Sequence, residues 1–103
     1  AKRGGIDLKA LRDVVSGGGA NSVMFQRLAA YAIEGDNTQL RFAITNATKD
    51  VRYFTHMCES LPIAVPVAQA IHQAYAMAAN SGLGDQYVPS MVDVLGKWNE
   101  KGK

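Results

Sequence analysis

The stretch Phe42–Leu61, FAITNATKDVRYFTHMCESL, lies in the longest run of the chain without glycine or proline. At about 100° per residue it resolves into two faces of one helix. Ile44, Ala47, Val51, Phe54, Cys58 and Leu61 alternate three- and four-residue steps and share an apolar stripe. Phe42, Thr45, Asn46, Lys49, Arg52, Tyr53 and His56 fall on the opposite side, with Asp50 on the border near Ala43 and Met57. A carboxylate at that border is expected to be partly desolvated. One apolar stripe is enough to join a helix to a core. The second face mixes aromatic, cationic, amide, hydroxyl and imidazole groups, so it is expected to meet a partner or a ligand.

Outward from this helix the chain reads as further helices separated by glycine and proline. Ala1-Lys2-Arg3 before Gly4-Gly5 has the form of a last helical turn, with cations at its negative end and glycine beyond. That pattern suggests a fragment of a longer protein. Asp7 can cap a helix with Leu8, Leu11, Val14 and Val15 inward, broken by Ser16-Gly17-Gly18-Gly19. Asn21 or Ser22 can cap a second, carrying Val23, Met24, Leu28, Tyr31 and Ile33 and stopped by Gly35. The central helix is expected to begin between Gln39 and Phe42. Pro62 and Pro66 bracket an extended connector. Pro66 then suits the first turn of an alanine-rich helix with Val67, Ala70, Ile71, Ala74, Tyr75 and Ala78 inward. Gly82-Leu83-Gly84-Asp85 is the next break. A last helix is expected from about Val88 to Trp98, through Met91, Val92 and Leu95, before a fraying tail, Asn99 to Lys103. No segment alternates with period two, so the predicted fold is all-α: one domain over residues 1–103, a bundle of about five helices.

Composition narrows the function classes. The 103 residues carry a net charge of +2 and are 48% hydrophobic, which is globular rather than disordered. So small a charge, with its lysines and arginines scattered, argues against nucleic acid or an anionic membrane as partner. No apolar run is long enough to span a bilayer, and no signal peptide is recognisable. The single Cys58 excludes an intrachain disulfide and reads as a core thiol. It suits a reducing setting, the cytoplasm, or the mitochondrial matrix if the source is eukaryotic.

Little else carries chemistry. The glycine run ahead of the second helix lacks the Gly-Lys-Ser/Thr of a Walker loop and the preceding strand of a dinucleotide fingerprint, and reads as a break. His56 and His72 lie on different helices without carboxylate or thiol at metal spacing, so no metal site is expected. The serines lack a nucleophile elbow. Lys49-Asp50 is the pair with content. Its bland reading is a solvated cation beside a paired carboxylate. Its sharper reading uses the aromatic and cationic face, where an ammonium and the Phe42 ring meet a flat, polar, phosphate- or amide-bearing ligand.

Five landmarks in order, AKRGGID, VVSGGGANSVMFQR, EGDNTQLRFAITNATKDVRYF, LPIAVPVAQAIHQAYAMA and NSGLGDQYVPSMVDVL, span nearly the whole chain. Together they resemble the C-terminal domain of the β-hydroxyacid dehydrogenases, the 3-hydroxyisobutyrate dehydrogenase family. The resemblance implies an all-helical domain like the C-terminal domain of 6-phosphogluconate dehydrogenase. It implies an N-terminal Rossmann domain in the same chain, NAD or NADP as cofactor and a small hydroxy-acid substrate; a homo-oligomer is expected because a domain parted from its neighbour exposes apolar surface. Lys49 then binds the cofactor near its nicotinamide end, while Phe42 and Asp50 line or order the substrate pocket. The general acid/base lysine of the family belongs to an upstream interdomain helix, so no catalytic residue is expected here and this chain alone is expected to be inactive. The sequence departs from the family pattern at Val51, where leucine is common, at Val23, where tryptophan is frequent, and at Tyr87, which replaces an acidic residue. The alternative is a stand-alone helical module that uses the same second face to bind another polypeptide or a second copy.

Overall fold

The computed structural model describes residues 1–100, and the described residues form five α-helices and no strand. The chain divides into two compact units, Ala1–Arg41 and a second that begins at Phe42.

In the first unit, Lys2–Gly4 is a 3-10 turn closed by Gly5 in the left-handed region (φ 78°), as the cation-then-glycine pattern predicts. Helix α1 (Leu8–Ser16) follows, capped by the Asp7 carboxylate, which accepts from the Ala10 amide at 3.4 Å. Helix α2 (Val23–Glu34) is capped by Ser22, whose hydroxyl oxygen accepts from the Phe25 amide at 2.9 Å, and ends at Gly35 (φ 72°). Arg12 of α1 pairs with Glu34 of α2 at 2.6 Å. The inward faces differ from expectation at three residues: Val14, Val23 and Met24 are exposed, and Ala29 is the buried residue of α2. After Gly35 the chain turns on Asp36, whose carboxylate accepts from the Thr38 hydroxyl at 2.6 Å, the Thr38 amide at 2.9 Å and the Gln39 side chain at 3.1 Å. The Thr38 hydroxyl, then the other donors, hold the Asp36 carboxyl below its ordinary value of 3.8.

In the second unit the central helix α3 (Ile44–Ser60) starts later than predicted. Ala43 is extended and pairs with Tyr87 in an isolated antiparallel bridge, so the helix cannot begin before it. The Phe42 carbonyl accepts from the Val88 amide at 2.8 Å, the Ile44 amide donates to the Gln86 carbonyl at 2.8 Å, and the Thr45 amide donates to the Gly84 carbonyl at 2.9 Å. The unit continues through α4 (Pro66–Ala78), with Pro66 in its first turn. Ala79–Leu83 then forms a wide π-type turn that passes through Gly82 at φ 85°. A 3-10 turn, Val88–Ser90, leads into α5 (Met91–Trp98), so the predicted last helix is divided at its start. The fraying tail expected after Trp98 lies outside the described residues from Lys101 onward.

The core of this unit is Ile44, Ala78, Met91 and Val94, with Ala74, Tyr75, Ala79 and Leu83 packed against it. Ala78 lets α4 and the following turn approach α3 closely. The buried line of α3 runs through Ile44, Ala47, Thr55 and Cys58, with Val51 half-buried. That is a correction to the predicted stripe, since Phe54 and Leu61 are exposed. The line is rotated by roughly 30° toward the threonines. Thr55 tolerates burial because its hydroxyl donates to the Arg52 carbonyl at 2.9 Å, which leaves no polar hydrogen unmet. The inward face of α4 is likewise rotated. Val67, Ala70 and Ile71 are exposed, while His72, Ala74 and Tyr75 are half-buried, and α5 buries Met91 and Val94 rather than Val92 and Leu95.

Ile44 is fully buried at the start of α3, so Ile44→Ala should destabilise the fold by about 2–5 kcal/mol in denaturant unfolding. Phe54→Ala should cost clearly less, the reverse of what the sequence stripe implies. A depressed carboxyl pKa gives stability that is complete above 3.8 and lost as pH falls through the lower, folded value. Thr38→Val should therefore raise the Asp36 pKa toward its ordinary value, read by carbon-13 titration of the carboxyl, and the acid opening of this turn should begin at higher pH.

Candidate functional site

Helix α3 presents two flanks beside its buried line. One, at about 100° per residue, carries Asp50, Phe54 and Met57. The other carries Thr45, Thr48, Lys49 and Arg52, three and four residues apart and therefore neighbours on the helix surface. These four residues and Ala79 line a groove of about 310 Å³. Its wall is the turn that follows α4, brought to α3 by the hydrogen bond from the Thr45 amide to the Gly84 carbonyl.

The groove is cationic. Lys49 and Arg52 are exposed, and neither forms an ion pair among the described residues. No carboxylate is among the lining residues. The two hydroxyls differ. Thr48 donates its hydrogen to the Ile44 carbonyl at 2.8 Å, so it offers only lone pairs to the groove. The Thr45 hydroxyl has no hydrogen-bond partner among the described residues and is free to donate. A group bearing negative oxygens and a polar hydrogen matches this set.

The sequence places Lys49 correctly on the solvated face and groups it with Thr45 and Arg52. Phe42 is elsewhere: it precedes the helix, is half-buried, and is held by the pairing of its carbonyl with Val88 rather than by the face of α3. Asp50 is exposed, not partly desolvated as expected, because its border has rotated away from the core. Neither Phe42 nor Asp50 lines the groove. Thr48 and Ala79 are the residues that sequence reasoning missed. Threonine has no fixed helical preference for either face, and the position of Ala79 depends on a turn with no local signature.

His56 is exposed and Cys58 is a buried free thiol, while His72 is half-buried. No group of three or more metal-ligating side chains occurs among the described residues. Among them, too, no helix is long and apolar enough to cross a membrane.

The donor set of the groove suits an anionic ligand, and comparison with known proteins defines the family to which this all-helical chain belongs. Residues 1–95 match the family described as NAD-binding of NADP-dependent 3-hydroxyisobutyrate dehydrogenase, and the chain belongs to that family. It is similar to L-threonate dehydrogenase of Pectobacterium atrosepticum, 30% identical over 95 residues that make up 92% of this chain and 31% of the relative. The corresponding enzyme of Cupriavidus necator is 31% identical over 93 residues, 90% of this chain and 31% of the relative. In structure it resembles a 3-hydroxyisobutyrate dehydrogenase from Salmonella typhimurium, with a TM-score of 0.82 and 28% identity over 91% of this chain and 33% of that one. The chain thus spans about a third of the length of the relatives it matches. The expected fold and family both hold.

Gly84 is where the groove wall touches α3. A Cβ at Gly84 would overlap the Thr45 hydroxyl oxygen. Gly84→Ala should therefore turn the Thr45 side chain and cost about 1–3 kcal/mol. The check is a chemical-shift change at Thr45 together with a lower unfolding midpoint. Gly19→Ala, with open space around it, is the control that should leave both unmoved.

Proposed function

We propose that the chain is the substrate- and cofactor-cleft domain of an NAD(P)-dependent oxidoreductase acting on a small 3-hydroxy acid or the matching aldehyde or keto acid. The observation that carries this reading is Lys49: an exposed ammonium with no ion pair among the described residues, in a groove lined by no carboxylate, on a chain of an NAD-binding dehydrogenase family. Relatives named for L-threonate and 3-hydroxyisobutyrate support a hydroxy acid as substrate class.

In this reading Lys49 holds the cofactor near its nicotinamide end through charge-assisted hydrogen bonds. The bound nicotinamide supplies or accepts the hydride that interconverts the hydroxyl and carbonyl forms of the substrate. Asp50 shapes the pocket as an exposed carboxylate one residue beyond Lys49, outside the groove. Phe42 shapes it through the backbone pairing that sets where α3 begins. The proton of the substrate hydroxyl is assigned to the upstream lysine that the family resemblance implies, on a segment joining this domain to a Rossmann domain of the same polypeptide. Exposed apolar side chains on α3 and α4, among them Phe54, Met57 and Val67, support association with that upstream part and with a second copy. One buried free thiol and bacterial relatives fit a cytoplasmic setting.

In the complete protein, Lys49→Ala should raise the dissociation constant for NAD(P) about tenfold or more. That corresponds to the about 1.5–3 kcal/mol of a hydrogen bond to a charged group, and Lys49→Arg should recover part of the loss. Equilibrium titration by nicotinamide fluorescence reads it. An unchanged dissociation constant and unchanged turnover would remove the role given to Lys49.

A further inference from the structure

Helix α4 leaves part of its apolar seam outside the domain. Val67, Ile71, Ala74 and Ala78 lie within about 60° of one another around the helix. At the far end of the seam Ala78 is fully buried in the core with Ile44, and Ala74 packs against that core. Toward the start of the helix the same seam comes out into solvent. Ile71 is 45% exposed and Val67 72%, and Ala70 beside them is exposed as well. The surroundings carry no fixed charge. Between Glu59 and Asp85 the chain has no Asp, Glu, Lys or Arg, although the outward face of a surface helix is where a monomer places such groups. The polar side chains of α4, Gln69, His72 and Gln73, stand about 120° or more around the helix from Val67.

Charge and size both favour a second copy as the cover. Across a two-fold axis each group near the axis meets its own like, so a charge there repels itself. A ridge without charge meets its copy at no such cost. The side chains also fit their own reverse order. With two α4 helices antiparallel and the axis between Ala70 and Ile71, each Ile71 lies opposite Ala70 of the other copy, and each Val67 opposite Ala74. Every large side chain then faces a small one, which lets the two ridges interdigitate. We propose that the first two turns of α4 form a two-fold contact with a second copy of this chain, packed antiparallel about Ala70 and Ile71. Val67 and Ile71, with the exposed Leu61 and Ile63 of the preceding connector, offer on the order of 400 Å² per copy, against about 800 Å² for a standard interface. The dimer is therefore expected to be weak, with a dissociation constant in the micromolar range. The inference rests on the proposed reading of the chain as an associating domain; it names the face and its occupant and assigns nothing to Lys49.

The test is sedimentation equilibrium of this chain from micromolar to near-millimolar concentration. The unaltered chain should pass from monomer to dimer across that range. Ile71→Lys brings like charges together at the axis and should weaken the dimer about tenfold or more. Mixing Ile71→Lys with Ile71→Glu should restore association, since opposite charges then meet. Ala70→Leu adds apolar surface yet should also weaken the dimer about tenfold, because it fills the space taken by Ile71 of the second copy. Adhesion by hydrophobicity alone would instead be strengthened by that change. Ala70 and Ile71 are exposed, so circular dichroism should show the helices kept in every variant. A chain that stays monomeric throughout, a dissociation constant unmoved by both substitutions, or a tighter dimer with Ala70→Leu overturns the proposal. None of these readings depends on the NAD(P) dissociation constant of Lys49→Ala in the complete protein. The proposed function and this contact can therefore fail separately.

Discussion

The first free amide of α3, that of Ile44, lies where water cannot reach it. Ile44 is fully buried, and its N–H would be an orphan at the start of a helix that lacks a side-chain cap. The Gln86 and Gly84 carbonyls take the Ile44 and Thr45 amides, and the Val88 amide returns a bond to the Phe42 carbonyl. Three backbone bonds thus hold this junction, and the one at Ile44 satisfies a group whose burial would otherwise cost about 1–3 kcal/mol. They also fix the segment between α4 and α5. With that segment held, Met91 and Val94 reach Ile44 and Ala78, and Ala79 becomes the wall of the groove. The core and the candidate site share a single anchor.

Much of this was legible in local sequence. Asp7 and Ser22 cap the helices that their spacing predicts, and Gly5, Gly35 and Gly82 take up the left-handed backbone that ends or turns a helix. Each depends on a few adjacent residues, so a short window contains all the physics. The start of α3 does not. Its partners, Gly84 and Gln86, come from far along the chain, and nothing near Phe42 announces an extended pair. The apolar stripe was misplaced for a related reason. Hydrophobicity ranks Phe54 above Thr55, but the smaller Thr55 quiets its own hydroxyl on the Arg52 carbonyl and is the one that is buried. Packing space, not polarity alone, decided which side chain went inside.

At the site the same division holds. That Lys49 and Arg52 are solvated follows from their helical phase. That Phe42 stands apart from them does not, because it required knowing where the helix begins. The chemistry of Thr48 was invisible for a different reason: the sequence names a hydroxyl but not the direction of its hydrogen, which the Ile44 carbonyl determines. A residue that reads as a donor by composition acts as an acceptor by geometry.

Because backbone carbonyls occupy the amides at the head of α3, the positive pole of that helix is already spent within the fold. The cationic side chains lie instead on the flank, where they are exposed and anchor little of the core. Such positions can be exchanged during descent without approaching the threshold at which the domain unfolds. The groove is therefore a place where related chains can diverge in side-chain chemistry while keeping a common scaffold.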